Sequence, residues 1–287
     1  MFYPPMLLMH SVNNEAFEHQ DYLASLKLDG IRLLVSNMDH FKLYTKNQDV
    51  TSRFPELHNP PISKGTILDG ELIVVDEKGH PDFEACLSRF HSRKANYKVQ
   101  FCAFDILYCR GENVTGLPLE KRLELLEAEM QETEHYSRMR IIHGNPVQLF
   151  EIVKAAGLEG IVLKKRDSKY ETRSRPCEPG SKAIRSWAWQ KVINYSSSDV
   201  VITGYSKENH HWLIGAPEDG RIKPLGTMEL GITQKHRKEI WPRLGCSVVD
   251  ENKKFVFVEP LITCRVRHRG YYKSGFMRLP VLDEVLS

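Results

Sequence analysis

The sequence lacks several features that mark particular protein classes. Its six cysteines are scattered through 287 residues without a Cys-x-x-Cys pair, which argues against a zinc site and against a disulfide framework. No apolar run approaches the roughly 20 residues that a membrane-spanning helix needs. The Met1–Pro5 segment does not have the basic and apolar regions of a signal peptide. We therefore expect a cytoplasmic protein that does not enter a membrane.

Positive charge is concentrated in two segments, although the formal net charge is only +3 at pH 7. Basic residues outnumber acidic ones in the segment 164–191, and the segment 265–278 contains no acidic residue at all. Clustered positive charge beside Trp and Tyr is typical of a polyanion site. A solvated basic face has the same composition, so the charge pattern does not decide between the two.

The first two thirds of the chain alternate short β-rich runs with turns. The runs Leu23–Lys27 and Ile31–Ser36 flank Asp29-Gly30, a pattern that predicts a hairpin. A further run, Thr66–Val75, is expected to be broken at Asp69-Gly70. Val99–Tyr108 is almost continuously apolar, as in a buried strand. These runs predict a sheet-rich domain.

Two amphipathic helices and a domain boundary are also predicted. Leu119–Met130 and Val147–Ala156 have apolar residues at helical spacing. The polar stretch Tyr195–Ser198 is a predicted hinge. Beyond it, short strands surround one helical stretch near Gln234–Leu244, which suits a small OB-type barrel. The sequence thus predicts one domain at residues 1–195 and a second at 196–287.

Lys27 is the first chemically suggestive residue. It ends a strand-like run and is followed by Asp29, Gly30 and Arg32. A lysine that faces a pocket becomes a nucleophile when burial or neighbouring cations lower its pKa. The Asp29-Gly30 turn would direct Lys27 and Arg32 to the same cleft. Taken alone, an ordinary surface hairpin explains the pattern more simply.

Glu71 and Phe104 add groups that could hold a nucleotide. Glu71 lies inside an apolar strand, where a carboxylate is costly unless it is paired or binds a ligand such as a ribose hydroxyl. A position on the solvated face of the strand is the simpler alternative. Phe104 could stack on a purine, although a core phenylalanine is the simpler explanation for it.

The segment 159–165 and Lys191 supply the remaining candidate residues for a nucleotide site. Glu159 begins a strand-like run, and strand alternation places Lys164 on one face and Lys165 on the other. One lysine can therefore reach into a pocket, and Lys191 precedes the predicted hinge. A lysine nucleophile, carboxylates, an aromatic ring and further lysines are the groups that nucleotidyl transfer requires for positioning and charge neutralisation.

The order and spacing of these segments resemble the covalent nucleotidyltransferase superfamily. The chain is most similar to minimal ATP-dependent DNA ligases of viral or prophage type and to the ligase domains of bacterial end-joining proteins. Each motif is weak alone, but five occur in the family's order between residues 27 and 192, and the resemblance as a whole covers nearly the entire chain. They are K-L-D-G-I-R at 27–32, D-G-E-L at 69–72, A-F-D-I-L at 103–107, E-G-I-V-L-K-K at 159–165 and W-Q-K-V at 189–192.

The resemblance implies a fold, a reaction and a set of partners. The implied fold is α+β, with an adenylation domain of ATP-grasp-like antiparallel sheets and flanking helices at 1–195, followed by an OB-fold barrel at 196–287. The implied reaction is ATP-dependent sealing of nicks in DNA, in replication or repair, through a lysyl-AMP intermediate. The implied partners are ATP as the AMP donor, Mg²⁺ and nicked double-stranded DNA. The implied protein is monomeric and resides in the nucleoid or a host cytosol.

The resemblance also implies roles for individual residues. Lys27 would be the adenylated nucleophile, and Asp29 and Arg32 would organise the cleft, with Arg32 also near the 5′-phosphate of the nick. Glu71 would hold the ribose and Phe104 would stack on the adenine. Glu159 would help to bind the metal, and Lys164 and Lys191 would contact the α-phosphate. The implied DNA-binding residues are Lys46, Arg185, Arg265, Arg267, Arg269 and Arg278.

The sequence departs from the family pattern in three places. Lys46 stands where the family has the arginine of S-R-N-G, and it keeps the charge without bidentate phosphate recognition. Ile193 replaces the second lysine of motif V. Motif VI, typically R-x-D-K, is missing, and Arg278 or the cluster of Arg265, Arg267 and Arg269 is a candidate substitute. A further alternative is slow self-adenylation with the later steps retained.

Two other functions remain open at this stage. An RNA ligase or a GTP-using capping enzyme shares K-x-D-G and an OB domain, although the F-D-I-L and G-F-M-R-L-P segments favour a DNA ligase. A degenerate relative that binds nicks without turnover would also fit the missing motif VI and Ile193. The presence of Lys27 and both carboxylates favours an enzyme.

Overall fold

The structure, a computed structural model, describes residues 1–46, 48–172 and 185–286. The chain divides into two compact units, Met1–Asn194 and Tyr195–Ser287. Residues 173–184 of the basic segment 164–191 lie outside the described residues. The assignment of the two units as an adenylation domain and an OB-fold domain stays a prediction.

The first unit is built mainly from strands. Its strands are β1 Leu7–His10, β2 Tyr22–Leu26, β3 Ile31–Asn37, β4 Phe41–Thr45, β5 Gln48–Asp49, β6 Thr66–Val74, β7 Val99–Cys109, β8 Glu112–Asn113, β9 Tyr136–Arg138, β10 Gly160–Lys165 and β11 Arg185–Ile193. Its helices are α1 Phe83–His91, α2 Leu119–Glu129 and α3 Pro146–Ala155, with single 3₁₀ turns at Val12–Asn14, Thr51–Arg53 and Pro55–Leu57.

These strands form two sheets. The smaller has the order β1-β11-β10-β2, and the larger has the order β5-β4-β3-β6-β7-β8 with β9 beside β7. One hydrophobic core contains residues from both sheets, including Leu23, Leu34, Ile67, Phe104 and Trp189. The predicted buried strand at Val99–Tyr108 is confirmed as β7, and the two predicted helices are confirmed as α2 and α3.

The predicted hairpin at Asp29-Gly30 is wrong. Strand β2 pairs with β10 in the smaller sheet, whereas β3 pairs with β4 and β6 in the larger one. The chain therefore crosses from one sheet to the other between Leu26 and Ile31. Glycine is needed at position 30 because a Cβ atom there would collide with the carbonyl oxygen of Leu72 on β6. The Asp-Gly pair marks a close approach of two strands instead of a turn.

The predicted break at Asp69-Gly70 is also wrong. Strand β6 runs through both residues, with irregular pairing to β7 between them. A Cβ atom at Gly70 would lie 2.5 Å from the carbonyl oxygen of Cys102 on β7. Glycine in a strand often marks such a close backbone approach. Asp69 and Glu71 consequently lie on one continuous strand.

The second unit has its own sheet and core. Its elements are β12 Ser196–Ser206, β13 Trp212–Glu218, β14 Arg221–Met228, α4 Gln234–Cys246, β15 Val248–Glu251, β16 Phe255–Val258, β17 Thr263–His268 and β18 Val281–Val285. The strand order is β14-β13-β12-β16-β15, with β17 pairing β12 and β18. Its core includes Trp212, Ile240 and Val266. Ser196–Ser198 belongs to β12 and pairs with β17, so these residues are not an irregular linker.

The described chain has mixed α and β content and consists mostly of sheet. None of its described helices combines the length and the apolar character needed to cross a membrane. Of the six cysteines, Cys177 lies outside the described residues, and the other five are free thiols.

Candidate active site

The first unit contains an open cavity. Both sheets contribute to its wall, because β2, β10 and β11 come from one sheet and β3, β6 and β7 from the other. The cavity is lined by Leu8, Ser25, Leu26, Lys27, Leu28, Arg32, Glu71, Phe104, Met139, Val162, Lys164 and Trp189. Five of the predicted site residues therefore surround one space.

Strand pairing brings Lys27 to Glu159. Leu26 lies opposite Ile161 in the β2–β10 pair, and the amide of Lys27 donates to the carbonyl oxygen of Gly160 at 2.9 Å. Lys27 and Glu159 therefore extend past matching ends of neighbouring strands. The Lys27 Nζ donates to Glu159 Oε2 at 2.8 Å, with side-chain exposures of 18% and 4%. A lysine and a carboxylate so placed can exchange a proton directly.

Arg32 is held by a carboxylate that the sequence analysis did not select. Its Nε and Nη2 donate to the two carboxylate oxygens of Asp69, both at 2.5 Å. The pairing follows from the register of β3 and β6, which places Arg32 opposite Glu71 and Leu34 opposite Asp69. Asp69 is 1% exposed. A buried bidentate pair of this kind fixes the guanidinium plane.

Glu71 and Lys164 both line the cavity, and the acidity of each is perturbed. Burial raises the pKa of Glu71 to about 7, against the opposing effect of Lys27 and Arg32. Burial lowers the pKa of Lys164 to about 7, against the opposing effect of Asp105. Both shifts have the same origin, because a low-dielectric site disfavours the charged form of each group. Such shifts concentrate at functional sites.

Phe104 and Trp189 provide the aromatic part of the cavity. The Lys164 Nζ lies 4.2 Å from the ring centre of Phe104 and 3.9 Å from that of Trp189. The guanidinium of Arg32 lies 4.5 Å from the ring centre of Phe104. Phe104 is therefore both a cavity wall, as stacking on adenine requires, and a contact of two cations.

Three other predicted residues lie around this cavity without lining it. Lys191 lies opposite Val162 in the β10–β11 pair, which places it on the strand face that Val162 presents to the cavity. Asp29 lies in the crossover between the sheets, close enough to the thiol of Cys86 to raise its pKa, an effect smaller than that of burial and of Glu71. Glu159 reaches the cavity through its bond to Lys27.

A second, smaller cavity shares Arg32 with the first. Lys46, Tyr44 and Asp69 are among the residues that line it. Lys46 is exposed, and its neighbour Asn47 lies outside the described residues. Lys46 and Arg32 thus line the same small cavity.

The remaining predicted DNA-binding residues are exposed or partly exposed. Arg185 donates to the carbonyl oxygen of Leu8 at 2.7 Å. In the second unit, Arg265 bonds both oxygens of Asp199, and Arg267 bonds Asp283 at 2.6 Å. The guanidinium of Arg278 lies 5.5 Å from the ring centre of Tyr272. The amide of Arg269 donates to the carbonyl oxygen of Arg278.

Sequence reasoning missed several residues of the site. Asp69 has the same signal as Glu71, a carboxylate inside an apolar strand, and could have been found by that criterion. Trp189 was quoted only as part of a motif. Met139 and Tyr170 have no local signal, because they reach the site only through the folding of distant segments.

The carboxylates can be compared with what a metal ion requires. The described residues contain no cluster of three or more His, Cys, Asp or Glu side chains that could hold a metal. Mg²⁺ is commonly bound by one or two carboxylates, with waters and substrate phosphates as its other ligands. Glu159 and Glu71 are close enough for Glu159 to raise the pKa of Glu71, although burial is the larger cause. These residues fit an ion shared with a nucleotide.

Comparison with known protein families and sequences gives a consistent result. The model of the ATP-dependent DNA ligase domain matches residues 5–178. The SPbeta prophage-derived DNA ligase-like protein LigB of Bacillus subtilis (strain 168) is 39% identical over 285 residues, which cover 99% of this chain and 98% of that protein. The multifunctional non-homologous end joining DNA repair protein LigD of Mycobacterium tuberculosis (strain H37Rv) is 27% identical over 88% of this chain. The aligned part is 34% of LigD, so this chain spans about a third of its length.

Solved structures share the fold. The mycobacterial DNA ligase D complexed with ATP and MES aligns with a TM-score of 0.56 at 24% identity, covering 99% of this chain and 94% of that one. A Lig E DNA ligase, studied for DNA binding with a minimal scaffold, aligns with a TM-score of 0.69 at 19% identity over 100% of both chains.

Proposed function

Because the chain belongs to the ATP-dependent DNA ligase family, we propose that Lys27 takes AMP from ATP and passes it to the 5′-phosphate of a nicked DNA strand. The observation that carries this proposal is the Lys27–Glu159 contact at the cavity. In this contact a lysine amine lies 2.8 Å from a carboxylate that can accept its proton, at a cavity that Phe104 and Trp189 also line. A lysine with such a base beside it is a competent nucleophile once the proton is transferred.

In the first step the Nζ of Lys27 attacks the α-phosphorus of ATP. The bond from that phosphorus to the bridging oxygen breaks, and pyrophosphate leaves. Glu159 Oε2, 2.8 Å from the Nζ, is placed to accept the proton that the ammonium must lose. Lys164 and Lys191 neutralise charge at the α-phosphate, Glu71 binds the ribose, and Phe104 stacks on the adenine. Asp29 supports the crossover that carries Lys27.

Glu159, with Glu71 nearby, would hold Mg²⁺ together with phosphate oxygens of the nucleotide. When bound, the ion would offset negative charge on the phosphates during transfer. Everything else in the step is done by the chain's own side chains, which position the nucleotide and hold the proton of Lys27.

In the later steps the 5′-phosphate of the nick takes AMP from Lys27, and the 3′-hydroxyl then displaces AMP to join the strand. Arg32 and Lys46 would contact the 5′-phosphate, since both line one small cavity. Arg185, Arg265, Arg267, Arg269 and Arg278 would contact the DNA backbone. We assign the Met1–Asn194 unit to adenylation and the Tyr195–Ser287 unit to an OB-fold, and we expect a monomer.

Intact-mass measurement tests the proposal. Purified protein incubated with ATP and Mg²⁺ should gain the mass of one AMP, lose it on addition of pyrophosphate, and seal a nicked duplex. Lys27→Ala should show neither the adduct nor sealing, because it removes the nucleophile. Glu124→Gln, which alters an exposed lysine–glutamate pair on α2, is the matched control and should retain both. Sealing by Lys27→Ala would overturn the mechanism.

A further inference from the structure

Tyr170 belongs to a closed loop of hydrogen bonds around Arg32. Its hydroxyl donates to Asp69 Oδ2 at 2.6 Å and accepts from the amide of Met6 at 2.9 Å. The Arg32 Nη2 donates to the same Asp69 oxygen and also to the carbonyl oxygen of Met6 at 3.2 Å. Arg32, Asp69, Tyr170 and Met6 therefore each bond two members of the loop.

Three of the loop's four members are buried. Tyr170 is 4% exposed, Asp69 1% and Met6 0%. Burial, followed by the effect of Asp69, raises the pKa of Tyr170 well above its ordinary value, so its hydroxyl stays a donor at any working pH. A buried carboxylate that loses a donor keeps its desolvation cost without compensation. Removal of the Tyr170 hydroxyl would therefore leave Asp69 with an uncompensated desolvation cost.

The same tyrosine also contacts the aromatic wall of the larger cavity. Its ring lies edge-on to Trp189, with ring centres 5.6 Å apart, and Trp189 supports the Lys164 ammonium. Arg32 lines both the larger and the smaller cavity. Tyr170 thus links Arg32, which lines both cavities, to Trp189 in the wall of the larger one.

We propose that Tyr170 is a positioning residue for AMP transfer, because its hydroxyl fixes Asp69 and Asp69 fixes the guanidinium of Arg32 between the two cavities. The inference rests on the proposed function, in which Arg32 contacts the phosphate of the nick. Tyr170 itself touches neither the nucleotide nor the DNA in this scheme. Its effect is exerted through Asp69.

Tyr170→Phe tests the inference, since it keeps the ring and removes the hydroxyl. With enzyme already adenylated and nicked DNA saturating, we expect AMP transfer to slow by about tenfold, the usual effect of one lost hydrogen bond to a charged group. The dissociation constant for nicked DNA should change by less than about twofold, because the loss concerns orientation. Tyr136→Phe is the matched control: it removes another buried hydroxyl, which donates to the carbonyl oxygen of Leu57, and should leave the rate unchanged.

A double-mutant cycle separates positioning from a general loss of stability. Asp69→Asn breaks the loop from its other side and should slow transfer at least as much as Tyr170→Phe. In the Asp69→Asn background, Tyr170→Phe should have no further effect beyond about twofold, since the two side chains act through one contact. If Tyr136→Phe slows AMP transfer as much as Tyr170→Phe does, Tyr170 only supports the core. The same conclusion follows if the double variant is slowed by the product of the two single-variant factors.

An NMR measurement checks the same contact without ATP or DNA. The Arg32 Nε–H signal, assigned by its absence in Arg32→Lys, should be sharp in the unaltered protein and should shift or broaden in Tyr170→Phe and in Asp69→Asn. It should be unchanged in Tyr136→Phe. If the signal responds as expected but the unaltered protein does not seal nicks, the proposed function fails and the positioning contact stands. An Arg32 Nε–H signal that neither shifts nor broadens in Tyr170→Phe overturns the inference.

Discussion

The two units of the chain differ in the most buried of their ion pairs. The first unit has exposed pairs, such as Lys121 with Glu124 at 57% and 62%, but it also has buried ones: Arg122 and Asp105 are both 0% exposed, and Lys27 and Glu159 are 18% and 4% exposed. In the second unit the pair of Arg265 with Asp199 is 47% and 49% exposed. Burial of an ion pair is costly and persists only with complete hydrogen bonding, whereas an exposed pair contributes little to stability.

This difference indicates what each set of charges can do. The cavity of the first unit holds its charges in fixed positions, as chemistry on a phosphate requires. An arginine on the second unit can exchange an aspartate for a DNA phosphate at small cost, because its present partner is exposed. The comparison therefore predicts large effects of charge removal at the buried pairs of the first unit and small, salt-dependent effects at the exposed pairs of the second.

The largest expected effect is a loss in the free energy of unfolding when the ion pair of Asp105 and Arg122 is broken. Arg122 donates to both oxygens of Asp105 and also to the carbonyl oxygens of Leu117 and Ser168. Asp105→Asn would leave the guanidinium buried without a counter-charge, at a cost of about 3–5 kcal/mol. Urea denaturation measures the loss. Asp199→Asn in the second unit should cost less than about 1 kcal/mol, and equal losses would break the comparison.

The next effect is on catalysis at Glu159. Glu159→Gln removes the proton acceptor beside Lys27, so self-adenylation should slow by about 10²-fold or more. Sealing of a nick that already carries AMP should be affected less, since Lys27 no longer has to attack. Single-turnover assays of the two steps measure this. Glu124→Gln, at an exposed pair, is the control, and an equal slowing of both steps would contradict a specific role for Glu159.

A smaller effect concerns the pH dependence of stability at Glu71. Its pKa of about 7 lies above its unfolded value of 4.5, so the native state binds the proton more tightly. The contribution of Glu71 to the free energy of unfolding is therefore fully present below pH 4.5 and is lost as the pH rises through about 7. Glu71→Gln should therefore raise the free energy of unfolding by about 1–2 kcal/mol at pH 8. At pH 4.5 it should change little, and a gain that is equal at both pH values would refute the assignment.

The sequence predicted individual strands of the first unit better than their partners. The run at Val99–Tyr108 is confirmed as β7 because continuous apolar residues leave few alternatives to a buried strand. Alternation reveals which face a residue occupies but not which strand lies beside it. The Asp29-Gly30 pair was therefore mistaken for a hairpin, when Gly30 in fact passes close to Leu72.

The site was predictable where a residue carried its own signal. Glu71 and Lys164 are polar groups in apolar strands, Lys27 directly follows one, and the structure places all three around one cavity. Asp69 has the same signal, but the Asp-Gly pair also predicts a turn and so conceals it. Tyr170 is an ordinary tyrosine in sequence, and only the fold brings its hydroxyl to Asp69.

The smallest effect, and the sharpest test of the second unit, concerns Arg265. If Arg265 contacts a DNA phosphate, Arg265→Gln should lower the slope of log affinity against log salt by about 1. Asp199→Asn should instead tighten binding at low salt, because it frees Arg265 from its partner. Glu218→Gln is the control, because it makes the same change of charge at an exposed pair with Lys223. Fluorescence anisotropy with nicked DNA measures the affinity of all three variants. If Asp199→Asn and Glu218→Gln tighten binding equally, only net charge matters and Arg265 has no specific contact.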